Sequence, residues 1–162
     1  MSEGQIVERD AVRGILLTPA QEVLLMRVRP PGRDDSFWVT PGGGMNAGED
    51  VMDCLRRELR EELGIVELTL GPLVWRRQHT FNWAGRRIRQ RERYYVVAVE
   101  KFIPQMLDPI ESKAIDCLRW WSVPELSSSA ERLSPVSLAD IVARYLREGP
   151  PRAPLNVEVL VD

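Results

Sequence analysis

Three glutamates near the middle of the chain are spaced so that their side chains could together bind a metal ion. Glu58, Glu61 and Glu62 follow the i, i+3, i+4 pattern, which places them on one arc of an α-helix. Carboxylates this close repel one another, and a divalent cation that prefers oxygen ligands, such as Mg²⁺ or Mn²⁺, would offset that repulsion. The pattern alone leaves a second interpretation open, in which the acids lie on a solvated face and pair with neighbouring arginines.

The helix that would position these acids is the clearest periodic element of the sequence, and we predict it from about Glu49 to Leu63. Asn46 and Glu49 have the spacing of a capping box at its start, and Gly64 follows it where a left-handed residue ends many helices. One face of the helix is apolar and is formed by Val51, Leu55, Leu59 and Leu63. The acids therefore lie beside the apolar stripe rather than opposite it.

A glycine run at residues 42–44 precedes the helix and permits a sharp turn or a close approach of the backbone to a ligand. Together with the helix, this run resembles the signature of the Nudix hydrolases. That signature reads Gly, five residues, Glu, seven residues, Arg-Glu, an aliphatic residue, any residue, Glu-Glu, any residue, Gly and an aliphatic residue. Its specified positions are all filled, by Gly43, Glu49, Arg57, Glu58, Leu59, Glu61, Glu62, Gly64 and Ile65.

The resemblance implies a set of metal ligands within the motif. Glu58 and Glu62 would be the principal ligands, and Glu61 would be a third ligand or a base acting through a water molecule. Gly43 would permit the backbone bend, with its carbonyl near the metal. The implied cofactor is Mg²⁺, with Mn²⁺ as a substitute, and more than one ion could bind to this many carboxylates.

Two further motif positions would support these ligands. Arg57 would orient one of the glutamates by a charge-assisted hydrogen bond, and Glu49 would support the corner between loop and helix or bind a further metal ion. The implied reaction is attack of water at the phosphorus of a phosphoanhydride. A cation would neutralise the phosphate oxygens and activate the water, and a carboxylate would accept its proton.

The motif does not fix the general base, because in this family the base lies either in the helix or on a later loop. We favour Glu111, which lies in an irregular segment that could fold over the site, and Asp116 is a second loop candidate. The alternative for Glu111 is an ordinary solvated loop residue. Glu92 is a further candidate acid, because strand alternation places it on the same face as Tyr94.

Seven arginines crowd two neighbouring predicted strands, and Arg87, Arg89, Arg91 and Arg93 would share one strand face. Since guanidinium groups match phosphate oxygens, we predict the first three as substrate-binding residues. The competing interpretation is a solvated sheet face whose charges discourage edge pairing. His79, the only histidine, fits a structural role better than a binding role, and the sequence does not identify the substrate's base.

The composition is typical of a single folded domain, with 162 residues of which 44% are hydrophobic and 28% charged. A net charge of −2 argues against a nucleic-acid partner, and no apolar run is long enough to indicate a membrane partner. No signal peptide is apparent, so the predicted location is the cytoplasm.

Cys54 and Cys117 form no Cys-x-x-Cys pair and are predicted to be core or near-core residues.

Apolar and β-branched runs predict strands on both sides of the helix. Ala11 to Leu17 and Gln21 to Val28 are predicted to form a hairpin. After the helix, Val66 to Trp75, Gln78 to Trp83 and Arg86 to Glu100 are predicted as three strands, the first of them interrupted by a Gly-Pro pair.

The order of elements indicates an α/β fold in which a mixed sheet lies between helices, the α/β/α sandwich that the resemblance also implies. A second helix is predicted from Pro135 to Arg147. We predict one domain over residues 1–162, with its core at about 10–148 and a tail at 149–162. Alternating valines in the tail could add an edge strand, and a homodimer that exchanges this edge is a further hypothesis.

Two other functions are compatible with the same fold. A silent nucleotide-binding or regulatory module usually carries a damaged motif, and no motif position is substituted here. An isomerase of isoprenyl diphosphates needs a cysteine and a glutamate facing each other across the pocket, whereas Cys54 lies within the motif helix. The expected function is therefore hydrolysis of a nucleoside diphosphate linked to another group, as in nucleoside triphosphates, ADP-ribose, dinucleoside polyphosphates and nucleotide sugars.

Overall fold

The computed structural model describes residues 4–30, 32–105 and 114–162. No helix in these segments is long and apolar enough to cross a membrane. The elements follow in the order β1 (Val7–Leu17), β2 (Glu22–Val28), β3 (Phe37–Val39), β4 (Gly42–Gly44), α1 (Val51–Leu63), β5 (Thr69–Trp83), β6 (Arg86–Ala98), β7 (Ile115–Ser122), α2 (Val123–Ser128), β8 (Leu133–Ser134), α3 (Leu138–Glu148) and β9 (Val157–Val161).

The strands form one mixed sheet in the order β8-β3-β2-β1-β6-β5-β9, with β4 paired to β1 and β7 paired to β2. The predicted hairpin of β1 and β2 is confirmed. β1 also runs parallel to β6 along its whole length, from the pair Val7–Ile88 to the pair Leu17–Ala98. The glycine strand β4 pairs antiparallel with the middle of β1, so the start of the motif lies at the centre of the sheet.

Helices cover the sheet through two separate apolar clusters. One cluster contains Leu59 of α1, and the other contains Leu126 of α2 and Leu138 of α3. Neighbouring residues of β1 belong to different clusters, because Leu16 packs with α1 and Ile15 packs with the other two helices. The predicted arrangement, a mixed sheet between helices, is confirmed.

Helix α1 begins slightly later than the capping pattern predicted. Its N-cap is Asp50, whose side-chain oxygen accepts a hydrogen bond from the backbone N of Asp53 at 2.8 Å. Glu49 does accept a hydrogen bond from the backbone N of Asn46 at 3.0 Å, but this bond closes the preceding loop. The predicted end is confirmed, because Gly64 adopts the left-handed conformation with φ of 71°.

The two strands predicted between Val66 and Trp83 are in fact one strand, β5. The Gly71-Pro72 pair does not end the strand and instead coincides with a register shift in its pairing to β6. The edge strand suggested by the valines of the tail is present as β9, which runs parallel to the second half of β5.

Candidate active site

A cleft of about 400 Å³ opens beside the glycine strand and the acidic side of α1. Its polar part is lined by Gly42, Gly43, Glu58 and Glu62. Another part of the lining is apolar or aromatic and includes Met26, Phe37, Val39, Phe81 and Trp83. A concave site of this size that combines an apolar wall with a few charged groups is typical of small-molecule binding.

Glu58 and Glu62 are both buried, with 7% and 8% of their surface exposed. Glu62 Oε1 accepts a hydrogen bond from the backbone N of Gly42 at 3.3 Å, whereas its Oε2 has no partner among the described residues. Burial and the neighbouring Glu58 raise the pKa of Glu62 well above its usual range. Two buried carboxylates with too few donors are unfavourable, and a divalent cation would relieve that cost.

The glycines allow the backbone to reach these carboxylates. A Cβ placed on Gly43 would lie 2.6 Å from the carboxyl carbon of Glu58, so no other residue fits there without displacing the acid. Gly42 has φ of 135°, and a Cβ there would lie 2.1 Å from the carbonyl oxygen of Val12. The glycine run is therefore required both by its conformation and by the closeness of Glu58.

Arg57 connects the motif residues to one another. Its Nε and Nη2 donate to the two carboxylate oxygens of Glu49 at 2.8 and 3.0 Å, which lowers the pKa of Glu49 to about 2. Its Nη1 donates to Glu58 at 3.0 Å and to Glu61 at 3.3 Å. Its Nη2 also donates to the carbonyl of Gly44 at 2.9 Å. Arg57 thus orients three acids and ties the loop to the helix.

The carboxylates suit a hard cation, but they do not form a preassembled cage. Within residues 4–30, 32–105 and 114–162, no group of three or more His, Cys, Asp or Glu side chains is arranged to hold a metal ion. The side chain of Glu61 is 37% exposed and pairs with Arg57. Glu58 and Glu62, together with the close backbone at Gly43, are the groups that fit a divalent cation.

Glu92 also lines the cleft, on the same face of β6 as Tyr94, but it is fully paired. Arg77 Nε donates to one carboxylate oxygen at 2.7 Å, and Arg13 Nε donates to the other at 3.2 Å. Although burial opposes the change, these guanidinium groups lower the pKa of Glu92. Arg13 also donates to the carbonyls of Thr40 and Gly42, each at 3.2 Å. Glu92 therefore helps to position the glycine strand.

Three cross-strand pairs of β5 and β6 line the cleft and change stepwise from charged to apolar. The charged pair lies nearest the glycine strand, because Glu92 is the register partner of Ala11, which pairs with Gly44. The successive pairs are Arg77–Glu92, His79–Gln90 and Phe81–Ile88. This gradient suits a ligand with one polar end and one apolar, planar end.

The arginines that we predicted to bind substrate, Arg87, Arg89 and Arg91, are not part of the cleft lining. They alternate along β6 with the residues that do line it, so they lie on the opposite face of the strand. There Arg89 pairs with Glu8 at 2.7 Å and Arg91 pairs with Asp10 at 3.3 Å. This placement favours the alternative interpretation, a charged and solvated sheet face.

Other arginines line the cleft instead. Arg9 and Arg13 come from β1, and Arg77 comes from β5. The two residues of β1 were not predicted as site residues, because the parallel pairing of β1 with β6 leaves no local pattern in the sequence. Their four-residue spacing was the one available signal, since an even spacing places both side chains on one face of a strand.

His79 lines the cleft beside Asp162, the residue that follows β9. The distance from His79 Nε2 to Asp162 Oδ2 is 2.7 Å, and this hydrogen bond lowers the pKa of Asp162. The His79 ring also packs against Phe81, with 4.9 Å between ring centroids. No sequence signal marked Asp162, because only the register of β9 on β5 brings it to the cleft.

The two loop candidates for the general base have different outcomes. Glu111 lies outside the described residues, so its role stays a prediction. Asp116 accepts a hydrogen bond from Arg27 Nε at 2.7 Å, which lowers the pKa of Asp116, and it does not line the cleft. Asp116 is thus placed as an ion-pair partner away from Glu58 and Glu62.

Both cysteines lie among apolar residues. Cys54 is fully buried in the cluster under α1, and burial raises the pKa of its thiol to about 11. Cys117 packs against the other cluster. Neither lines the cleft, which does not support an isomerase that needs a cysteine in its pocket.

Comparison with protein families gives a match to the family described as NUDIX domain over residues 7–144. The match extends from β1 into α3 and includes the glycine strand, α1 and most of the cleft. No curated protein matches the chain.

Several solved structures are similar in fold. The E. coli ORF135 protein has a TM-score of 0.61 and 28% identity, and the alignment covers 91% of this chain and 96% of that chain. The E. coli dihydroneopterin triphosphate pyrophosphohydrolase has a TM-score of 0.62 at 15% identity, covering 87% and 98%. A C. elegans Ap4A hydrolase has a TM-score of 0.62 at 19% identity, covering 86% and 98%.

Proposed function

Since the chain belongs to the Nudix family of hydrolases, we propose that it uses a divalent cation to hydrolyse a phosphoanhydride bond in a nucleoside diphosphate linked to another group. The observation that carries this proposal is the buried pair Glu58 and Glu62 at the polar part of the cleft, where one oxygen of Glu62 has no partner among the described residues. An intact motif supports an active enzyme over a silent binding module.

Each motif residue has a defined task in this proposal. Glu58 and Glu62 hold the cation, and Gly43 lets the backbone lie against Glu58. When bound, the cation neutralises phosphate oxygens and activates water for attack at phosphorus. Arg57 fixes the carboxylates of Glu58 and Glu61 by hydrogen bonds. Glu61 is the partly exposed acid of the set, and it serves as a third ligand or as a base acting through water.

The rest of the cleft supports a nucleotide-like substrate. The guanidinium group of Arg9 lies so close to Gly44 that a Cβ on residue 44 would clash with it. Arg13 lies on the same strand face as Arg9. Both can neutralise phosphate oxygens near the glycine strand. Phe81 and Trp83 line the apolar part, where a heteroaromatic ring can stack.

The names of two similar structures point to the same class of substrate. One is named as a pyrophosphohydrolase of dihydroneopterin triphosphate and the other as an Ap4A hydrolase. Both compounds join a heteroaromatic ring system to a chain of phosphates. We extend this class to the present chain, with nucleoside triphosphates, ADP-ribose, dinucleoside polyphosphates and nucleotide sugars as the candidates and Mg²⁺ as the cofactor, Mn²⁺ replacing it.

A panel of these compounds, incubated with Mg²⁺ or Mn²⁺ and followed by product identification, tests the proposal. We expect wild-type protein to cleave at least one compound between two phosphorus atoms, and Glu62→Gln to lose that activity. Glu148→Gln, on the exposed face of α3, is the control and should retain it. Turnover by Glu62→Gln at the wild-type rate would contradict the ligand assignment. Measurable Mg²⁺ binding without any turnover would favour the regulatory module.

A further inference from the structure

The strand β9 lies beyond the residues that match the Nudix family, yet it ends at the cleft. The main chain of Asp162 is held by one hydrogen bond to the main chain of β5 and one from a side chain of β6. The backbone N of Asp162 donates to the carbonyl of Thr80 at 2.9 Å, and its carbonyl accepts from Arg87 Nη1 at 2.8 Å. Because both main-chain groups are held, the side chain has a defined position at the cleft wall.

One oxygen of the Asp162 carboxylate contacts other side chains, whereas the second has no hydrogen-bond partner among the described residues. Oδ2 is 2.7 Å from His79 Nε2 and 3.9 Å from Arg132 Nη2. Oδ1 makes no hydrogen bond within residues 4–30, 32–105 and 114–162, and 53% of the side chain is exposed. The side chain of His79 is only 15% exposed and forms part of the cleft wall. It contacts Oδ2 of Asp162 and leaves Oδ1 facing the cleft.

The part of the cleft formed by Asp162 and His79, which we call the Asp162 corner, favours hydrogen-bond donors on the ligand. An ionised carboxylate can only accept hydrogen bonds, and the lowered pKa of Asp162 keeps it ionised. This corner is next to the apolar pair Phe81–Ile88, where a planar ring would lie.

We propose that Asp162, held by His79, is a specificity-determining residue that recognises an exocyclic amino group on the base of a nucleotide substrate. This inference rests on the proposed function, because it assumes that the aromatic end of the substrate occupies the apolar part of the cleft. It assigns β9 to the binding site. The ligand class is a nucleotide whose base carries an amino group, as opposed to the same base without one.

Binding of nucleoside monophosphates, measured by calorimetry, tests the inference without requiring turnover. Two pairs differ only in the exocyclic amine: GMP with IMP, and AMP with purine riboside monophosphate. We expect wild-type protein to prefer the aminated member of at least one pair by about 10- to 100-fold, the range of a hydrogen bond to a charged group. Asp162→Asn should bring that ratio close to one and leave the affinity for the member without the amine nearly unchanged.

Glu148→Gln is a matched control, because Glu148 is 52% exposed and accepts a hydrogen bond from Arg144 at 2.9 Å. This variant should retain the wild-type ratio. His79→Leu removes the group that holds Asp162 and should lower the ratio in the same direction as Asp162→Asn. Equal affinities within both pairs for wild-type protein, or an unchanged ratio in Asp162→Asn, would overturn the inference. A shifted binding ratio in a protein that hydrolyses none of the panel would overturn the proposed function alone.

Discussion

Glu92 and Glu62 are buried carboxylates in the same cleft, with 2% and 8% exposure, but their surroundings differ. Glu92 accepts hydrogen bonds from two arginines, and its pKa is lowered. Glu62 faces Glu58, has one oxygen without a partner among the described residues, and has a raised pKa. A fully compensated charge contributes to the fold, whereas an undercompensated one costs stability and suits a cation that arrives later.

The largest effect should come from removing charge at the undercompensated pair. We expect Glu58→Gln to lower kcat by at least about 10²-fold, because loss of even a supporting group at a metal site costs 10- to 100-fold. The free energy of unfolding without metal should not fall, since the change removes repulsion with Glu62. Steady-state kinetics with Mg²⁺ and urea unfolding in a chelator measure the two quantities. A folded variant with wild-type kcat would show that Glu58 is not a ligand.

The opposite response, a loss of stability, is expected at Glu92, whose charge is compensated by two arginines. Glu92→Leu leaves the buried Arg77 and the half-buried Arg13 without their partner, and breaking a buried pair in this way costs about 3–5 kcal/mol. The free energy of unfolding from urea titration should fall by that amount. Glu148→Gln serves as the control, since its ion pair is exposed and should change stability by less than about 1 kcal/mol. Equal small losses of unfolding free energy in Glu92→Leu and Glu148→Gln would show that Glu92 does not stabilise the fold, and would remove the distinction between Glu92 and Glu62.

An intermediate effect should follow from Arg57→Lys. A lysine retains the charge but cannot bind both oxygens of Glu49 while also reaching Glu58 and Glu61. We expect the apparent affinity for Mg²⁺ to fall by about 10- to 100-fold, as for other groups that orient metal ligands. Activity titrated against Mg²⁺ concentration measures this change. A shift in kcat alone, at constant metal affinity, would assign Arg57 to a later step.

The smallest effect concerns the pH dependence of stability. Folding lowers the pKa of Glu92, so its ion pairs contribute stability above the ordinary carboxyl value of 4.5 and lose it as the pH falls through the lower folded value. As the pH falls below about 4.5, wild-type protein should therefore lose Tm more steeply than Glu92→Gln. Thermal melts across this range measure both slopes, and parallel slopes would show that the pair does not respond to acid.

The motif could be predicted from the sequence because its residues lie close together in the chain. The period of α1, its end at Gly64 and the approach of Gly43 to Glu58 all follow from local spacing and backbone conformation. The ends of elements were less certain. Asp50 replaced Asn46 as the N-cap because several polar residues in that loop can accept a hydrogen bond from the first turn.

The rest of the cleft depends on contacts between distant residues. The arginines of β6 formed an obvious sequence pattern, yet alternation turned them away from the cleft, and Arg13 of β1 occupies it instead. Which face of a strand points to the cleft depends on the strands that pair with it. The sequence of one strand does not identify those partners. Asp162 reaches the cleft only through the register of β9 on β5.

The parallel pairing of β1 with β6 also has a consequence during synthesis. Val7 pairs with Ile88, and Leu17 pairs with Ala98, so the first strand cannot complete its pairing until the ribosome has released the sixth. Contacts this distant in sequence form slowly, and the nascent chain meanwhile exposes apolar residues of β1 such as Ile15 and Leu16. We therefore expect the yield of soluble protein to rise on growth at lower temperature, because cooling weakens the hydrophobic association of exposed segments.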